Sequence, residues 1–421
     1  MSRSISEPTR SRLSASTDKG AIILDIGRIY TRCGFSGEAA PRHIIRSQIT
    51  MRPHRQLQEV WDPKYINREE LYLILCRFIR HVYLKYLMVN PREYRVVVVE
   101  SLYCPAHFRN TLARALFSHM NVPYAVFIPS HLVSTFTIAR STALVVDVGF
   151  IETTILPVCE GIPLVDAWQA TSFATQHLQE AVLRLLMERA MITLTDTGSK
   201  KPLAAVQVEK LLNKELEDIL VRTCFVRSKT TPEDKVPPDT DYPLNSQYTL
   251  HIDGYIRDHA ADVLFEDEGE DSPIPACILN ALMKCPIDAR RELSENILVM
   301  GGSASLIGFN YRLKQELEAL VGDQCQRYHS SLGALSFKFH DPPSHPNCVA
   351  WCGASIFGSS EIAMMERAIT KDKFKELKQL PEWMSCDPEQ QEQLKTVSLR
   401  KMLPSAPSAL TRRMASQPGK V

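Results

Sequence analysis

The stretch AIILDIG at residues 21–27 returns as ALVVDVG at 143–149, with the two aspartates 122 residues apart. Each copy is a short apolar, largely β-branched run of the kind that forms a buried strand. Each ends in Asp-x-Gly, and each is followed by another β-rich stretch, Ile29–Phe35 and Thr153–Val158. A lone Asp-x-Gly is an ordinary hairpin turn. The matching strand in front of both turns points instead to a duplication, two related lobes that each offer one turn to a shared cleft. Such turns suit a phosphate ligand: aspartate holds Mg²⁺-bound water, and glycine lets backbone N–H groups approach closely. A third glycine turn, Gly301-Gly302-Ser303, follows the apolar run Ile297–Met300 and leads into a helical pattern through Phe309, Leu313, Leu317 and Leu320. Strand, glycine turn and helix in that order commonly meet a nucleotide.

Around these turns strands and helices alternate, the pattern of an α/β fold. Val96–Val99 is a further buried-strand run, and Asn67 with Glu70 forms a capping box before the helical spacing Leu71, Ile74, Leu75, Phe78, Ile79 and Val82. That helix also carries Arg77, Arg80, His81 and Lys85. They read first as a solvated basic face and second as a site for an acidic partner. Thr230–Tyr242, rich in Pro and Asp, and the acidic Glu266–Asp271 read as exposed loops.

Hydrophobic residues make up 44% of the 421 and charged residues 23%, with a net charge of +1, so no global field favours nucleic acid or an anionic membrane. The apolar runs fall short of the ~18–20 residues that span a bilayer, so membrane insertion is not expected. Residues 1–19 are Ser/Arg-rich without a signal-type apolar core, and 384–421 form a Pro/Ser-rich basic tail; both are expected to be disordered. Eleven cysteines at irregular spacing fit a reducing, intracellular compartment and a role as small core residues. His340, His345, Cys348 and Cys352 match no common zinc spacing, and no direct metal site is expected.

Four further segments carry a family resemblance. CGFSGEAAPR (33–42), NALMKCPIDARREL (280–293), NILVMGG (296–302) and CVAWCGASIFG (348–358), together with the two Asp-x-Gly turns, resemble the actin family over about 20–383. The resemblance implies an actin-like fold of two related lobes around a nucleotide cleft. Lobe one would comprise 20–138, with a shortened small subdomain, plus 349–383; lobe two would comprise 139–348. It assigns Asp25, Gly27, Arg32, Asp147, Gly149, Gly301, Gly302 and Ser303 to the nucleotide, with Asp25 and Asp147 meeting Mg²⁺ through water.

Departures from the family pattern bear on activity. Each phosphate loop has isoleucine, Ile29 or Ile151, where the family has its second glycine, and a β-branched side chain obstructs close approach. Arg32 stands for the family's phosphate-binding lysine, and Arg28 offers a second cation. Ser130 and Thr154 stand for the glutamine and histidine that position the attacking water, and neither is a base near neutral pH. His131 lies beside Ser130 but roughly 100° around a helix from it, and reads as a packed or surface histidine. Leu220, Val221 and Asn347 replace the charged residues on the adenosine side. Tightly held ATP or ADP with Mg²⁺ fits this pattern; turnover does not, and the chain is expected not to be an enzyme.

RVVVVESLYCPAHFRNTL (95–112), RTCFV (222–226) and the 348–358 segment resemble most the actin-related subunits at the pointed end of dynactin. That narrower resemblance implies a structural role. The subunit would cap the actin-like filament of a dynein-activating complex, in the cytoplasm and cytoskeleton, supporting microtubule-based transport. Its partners would be actin-related protein 1, actin and dynactin subunits 4, 5 and 6, with dynein reached indirectly. Pro105 follows Pro41 by only 64 positions, fewer than the family has there, and the missing length falls where actin's loop enters the next subunit. The rival expectations are an active actin-family ATPase and a nuclear actin-related subunit of a chromatin-remodelling complex.

Overall fold

The computed structural model describes residues 19–381 apart from 52–55, 62–67, 196–197, 204–208, 233, 267–271 and 324–326. Both tails, the capping residue Asn67, most of Glu266–Asp271, Cys325 and Cys386 therefore lie outside the described residues.

Strand β1 (Ile22–Ile26) turns through Gly27 into the antiparallel β2 (Tyr30–Phe35) and runs parallel to β3 (Val96–Glu100). Ile22, Ile23 and Leu24 are fully buried and all five residues of β3 are buried, because this sheet is covered on both faces. The full sheet has six strands in the order Ile369–Thr370, Tyr124–Pro129, β3, β1, β2, His43–Arg46. A second sheet repeats the arrangement. Strand β4 (Ala143–Val148) is antiparallel to β5 (Thr153–Cys159) and parallel to β6 (Ile297–Gly301).

The repeat extends to register. Asp25 sits opposite Arg32 on β2, and Asp147 sits opposite Thr154 on β5. The N–H of Gly27 donates to the Tyr30 carbonyl at 3.0 Å, and that of Gly149 to the Glu152 carbonyl at 3.1 Å. The two echoes in the sequence are thus one hairpin built twice.

Helix α1 (Arg68–His81) buries Leu71, Ile74, Leu75, Phe78 and Ile79 as its spacing predicts, and continues as a π-helical stretch over Val82–Leu87. The halves of the chain are joined at a short helix, α2 (Ser130–Ser134), and by α3 (Val349–Ser359), which packs on both α2 and β1. Trp351 of α3 is fully buried and its indole N–H donates to the Ile23 carbonyl at 3.3 Å. Among the described residues no single helix is long and apolar enough to cross a membrane, and all nine described cysteines are free thiols.

One loop expectation needs correction. Thr240–Pro243, part of the Pro/Asp-rich stretch, is a strand that edges a four-stranded sheet by pairing with Tyr248–Ile252. Tyr242 supplies the reason: its ring is buried and its hydroxyl donates to Asp218 at 2.6 Å. Pro243 is tolerated because the strand lies at the sheet edge.

Candidate functional site

The two hairpin turns and the Gly301-Gly302 turn converge on one cleft of about 830 Å³. Asp25, Gly27, Arg32, Asp147, Gly149, Gly301 and Gly302 line it, and so do Ser130 and Thr154. Ser303 stands behind this wall, buried, with its hydroxyl 2.7 Å from that of Thr175. The eight residues that the resemblance assigns to the nucleotide are therefore in the cleft wall or in contact with it.

Glycine is required where β6 ends. Gly301 has φ of +106°, and a Cβ there would lie 2.1 Å from the Val148 carbonyl oxygen. Gly302 is different: a Cβ there would meet only Thr175 Oγ1, at 3.8 Å, so its backbone faces open space. Thr175 ties these parts together, its hydroxyl bonded to the Gly149 carbonyl at 2.7 Å as well as to Ser303. Thr175→Val is expected to cost about 1–2 kcal/mol in urea unfolding, because both partners keep their buried polar atoms and lose the hydroxyl between them.

The cleft is electrically divided. Asp25 pairs with Arg32 at 3.1 Å. Burial raises the pKa of Asp25, an effect that Arg32 opposes and Asp147 reinforces. Burial also raises that of Asp147, to about 6, again against the pull of Arg32. Arg28 pairs with Glu59 at 3.0 Å. Yet Arg28 Nη1 and Arg32 Nε are buried without a hydrogen-bond partner among the described residues, as is Asn347 Oδ1. Buried guanidinium N–H groups without acceptors are costly and mark a place where a ligand or water completes the bonding. Two such groups beside two carboxylates fit a phosphate chain with Mg²⁺, and they fit it by side-chain charge rather than by open glycine loops.

His131 is completely buried. Its Nδ1 is 3.1 Å from Ser130 Oγ, and its Nε2 is 3.3 Å from the Thr154 carbonyl oxygen and 3.2 Å from Thr154 Oγ1. Burial drops its pKa to about 4, so the ring is neutral and joins the two positions at which the family holds its water. The packed-histidine reading describes it well, but its link to Thr154 is invisible to helical periodicity. Also beyond the sequence reading is a latch across the cleft: Glu217 accepts from the Tyr30 hydroxyl at 2.8 Å and pairs with Arg46 at 3.3 Å. Leu220 and Val221, one turn along from Glu217, do not line the cleft.

A family model described as actin matches residues 74–379. The chain belongs to the actin family. Its mixed α/β architecture, with two hairpin turns meeting in one cleft, is the actin-like fold. Among curated relatives, actin-related protein 10 of Dictyostelium discoideum is 28% identical over an alignment covering 87% of this chain and 89% of that one. Actin-like protein 7A of Rattus norvegicus is 25% identical over 84% and 81% of the two chains, and that of Homo sapiens 24% over 84% and 82%. For an actin-family member, the cleft keeps both aspartates and the first glycine of each loop, and changes the groups around them.

Proposed function

We propose that this chain is a structural actin-related subunit that caps the pointed end of dynactin's actin-like filament and thereby supports dynein-driven transport along microtubules. The observation that carries the reading is the similarity to actin-related protein 10, which runs through nearly the whole of both chains. On this reading lobe one is 20–138 with 349–383, and lobe two is 139–348. The partners are the filament of actin-related protein 1, actin, and dynactin subunits 4, 5 and 6, in the cytoplasm and its cytoskeleton.

The short segment from Pro41 to Pro105 supports a capping role physically. Head-to-tail assemblies grow until one interface is lost. A subunit that keeps the face toward its neighbour but lacks the inserting loop joins an end and accepts nothing beyond it.

The cleft supports a bound but unhydrolysed nucleotide. Arg28 and Arg32 would hold the phosphates, and Asp25 and Asp147 would meet Mg²⁺ through water. Bound there, the nucleotide would brace the two lobes. Ser130 and Thr154 offer no base to activate water, and the neutral His131 is occupied by those same two side chains.

Electron microscopy of gold-labelled protein mixed with short filaments of actin-related protein 1 tests the cap. Label at one end only, with elongation stopped there, is the expected result. Label along the sides, or none, overturns the reading and favours a nuclear actin-related subunit.

A further inference from the structure

A groove of about 660 Å³, lined by none of the residues of the cleft, runs between the hairpin Gln48–Met51/Gln56–Glu59 and α1 with its π-helical extension. Arg46, Arg77, Arg80, His81 and Lys85 line it, Arg46 being already paired with Glu217, and among the described residues no aspartate or glutamate does. Leu57 and Leu84, 56% and 52% exposed, stand in the same walls.

A solvated helix face explains part of this. Cations near a helix C-terminus are favoured by the dipole, which accounts for Arg80 and His81 one at a time. It does not account for Arg77, Arg80 and Lys85 gathered around a largely neutral His81 in one concavity between leucines. Among the described residues Arg77 and Arg80 have no carboxylate partner, and Lys85 has only the ring of Tyr86. The crowding is felt: burial, then Lys85 and Arg77, hold the pKa of His81 below its ordinary value. A ligand that relieves both liabilities at once carries carboxylates for the cations and apolar side chains for the leucines. A groove of this volume exceeds what one inorganic anion fills, and nucleic-acid phosphate has no use for the leucines. The Arg-rich start of the chain and its basic stretch from Lys395 to the end are repelled rather than attracted.

We propose that this groove binds an acidic, leucine-bearing peptide segment of a partner protein. The site is independent of the capping reading and stands or falls separately from it.

Fluorescence anisotropy of the full chain with a labelled twelve-residue peptide of glutamates and leucines tests this, with the glutamine-for-glutamate peptide and polyglutamate as comparisons. The expected result is saturable binding of the Glu/Leu peptide at least tenfold tighter than of either comparison. R77E/R80E should weaken it at least tenfold, and L84S severalfold. Because a charge reversal can act by unfolding, the same R77E/R80E protein is also offered the peptide with lysine for glutamate. Regained binding there supports the site in a folded variant. Equal binding to wild type and R77E/R80E, polyglutamate binding as tightly as the Glu/Leu peptide, or tighter binding of a DNA duplex would each overturn the proposal.

Discussion

Gly353→Ala is expected to destabilise the protein by about 3 kcal/mol or more, the upper part of the range for overpacking a core. Gly353 lies on α3 where that helix crosses α2, and an added Cβ would stand 1.9 Å from the Val133 carbonyl oxygen and 2.5 Å from its carbon. Those are backbone atoms, so no rotamer change relieves the clash; the two helices must part. The result matters beyond stability, because α2 is only five residues long and carries both Ser130 and His131. Parting the helices moves His131 away from Thr154 and so disturbs the junction between the halves of the chain. Urea unfolding checks this, with Gly322→Ala as the matched control. Nothing lies within 4 Å of a Cβ at Gly322, at the end of its helix, so that change should be neutral or slightly stabilising. A Gly353→Ala protein within about 0.5 kcal/mol of wild type, the scatter of ordinary surface substitutions, would contradict the packing argument.

The centre of this fold is legible in the sequence because it is locally encoded and written twice. Strand, Asp-x-Gly and strand lie within Ile22–Phe35 and again within Ala143–Cys159, and each copy settles into the same register with Asp opposite the residue seven further on. The helix over Arg68–His81 is legible for the same reason, through the period of its apolar face. What stays hidden is non-local. Tyr30 and Glu217 are 187 residues apart, and neither belongs to a motif. Thr175 acts through hydroxyl bonds to Gly149 and Ser303 that no spacing announces. Thr240–Pro243 is hidden by composition: prolines and aspartates signal a loop, while the deciding contact, Tyr242 on Asp218, comes from a distant helix. The orphaned guanidinium N–H groups of Arg28 and Arg32 are likewise a product of burial. Substitution of glycine by isoleucine argues from sequence for a weakened phosphate site, and the structure places the two cations that the sequence also offers, Arg28 and Arg32, in the same cleft with N–H groups left over.

The crowding of charge in the cleft makes Asp147→Asn a test in which two effects have opposite sign. Without ligand, the Asp147 carboxylate is held in a buried site and its pKa stands at about 6 against an ordinary 3.8. The folded state therefore binds a proton more tightly than the unfolded state, and stability falls as pH rises from the unfolded value through the folded one. The cost is fully present above pH 6 and vanishes below about pH 4. On the free-energy scale the rise corresponds to roughly 3 kcal/mol, which solvent screening in an open cleft reduces to about 1–2 kcal/mol. Apo Asp147→Asn should thus be more stable than wild type by about that amount at pH 7.5, with the advantage shrinking as the pH falls through 6 toward 4. With Mg-ADP present that advantage should shrink by about 1.4 kcal/mol or more, because on the proposed reading the carboxylate meets the metal's water shell and the variant loses at least a tenfold share of nucleotide affinity. Urea unfolding at pH 5 and 7.5, with and without Mg-ADP, reads all four quantities. Identical curves for the two proteins in every condition would show that Asp147 is neither strained nor ligand-facing. The same preparations, given Mg-ATP, should release no more phosphate than a mock purification. Release by wild type that disappears in Asp147→Asn would instead establish an active ATPase and end the structural reading of the cleft.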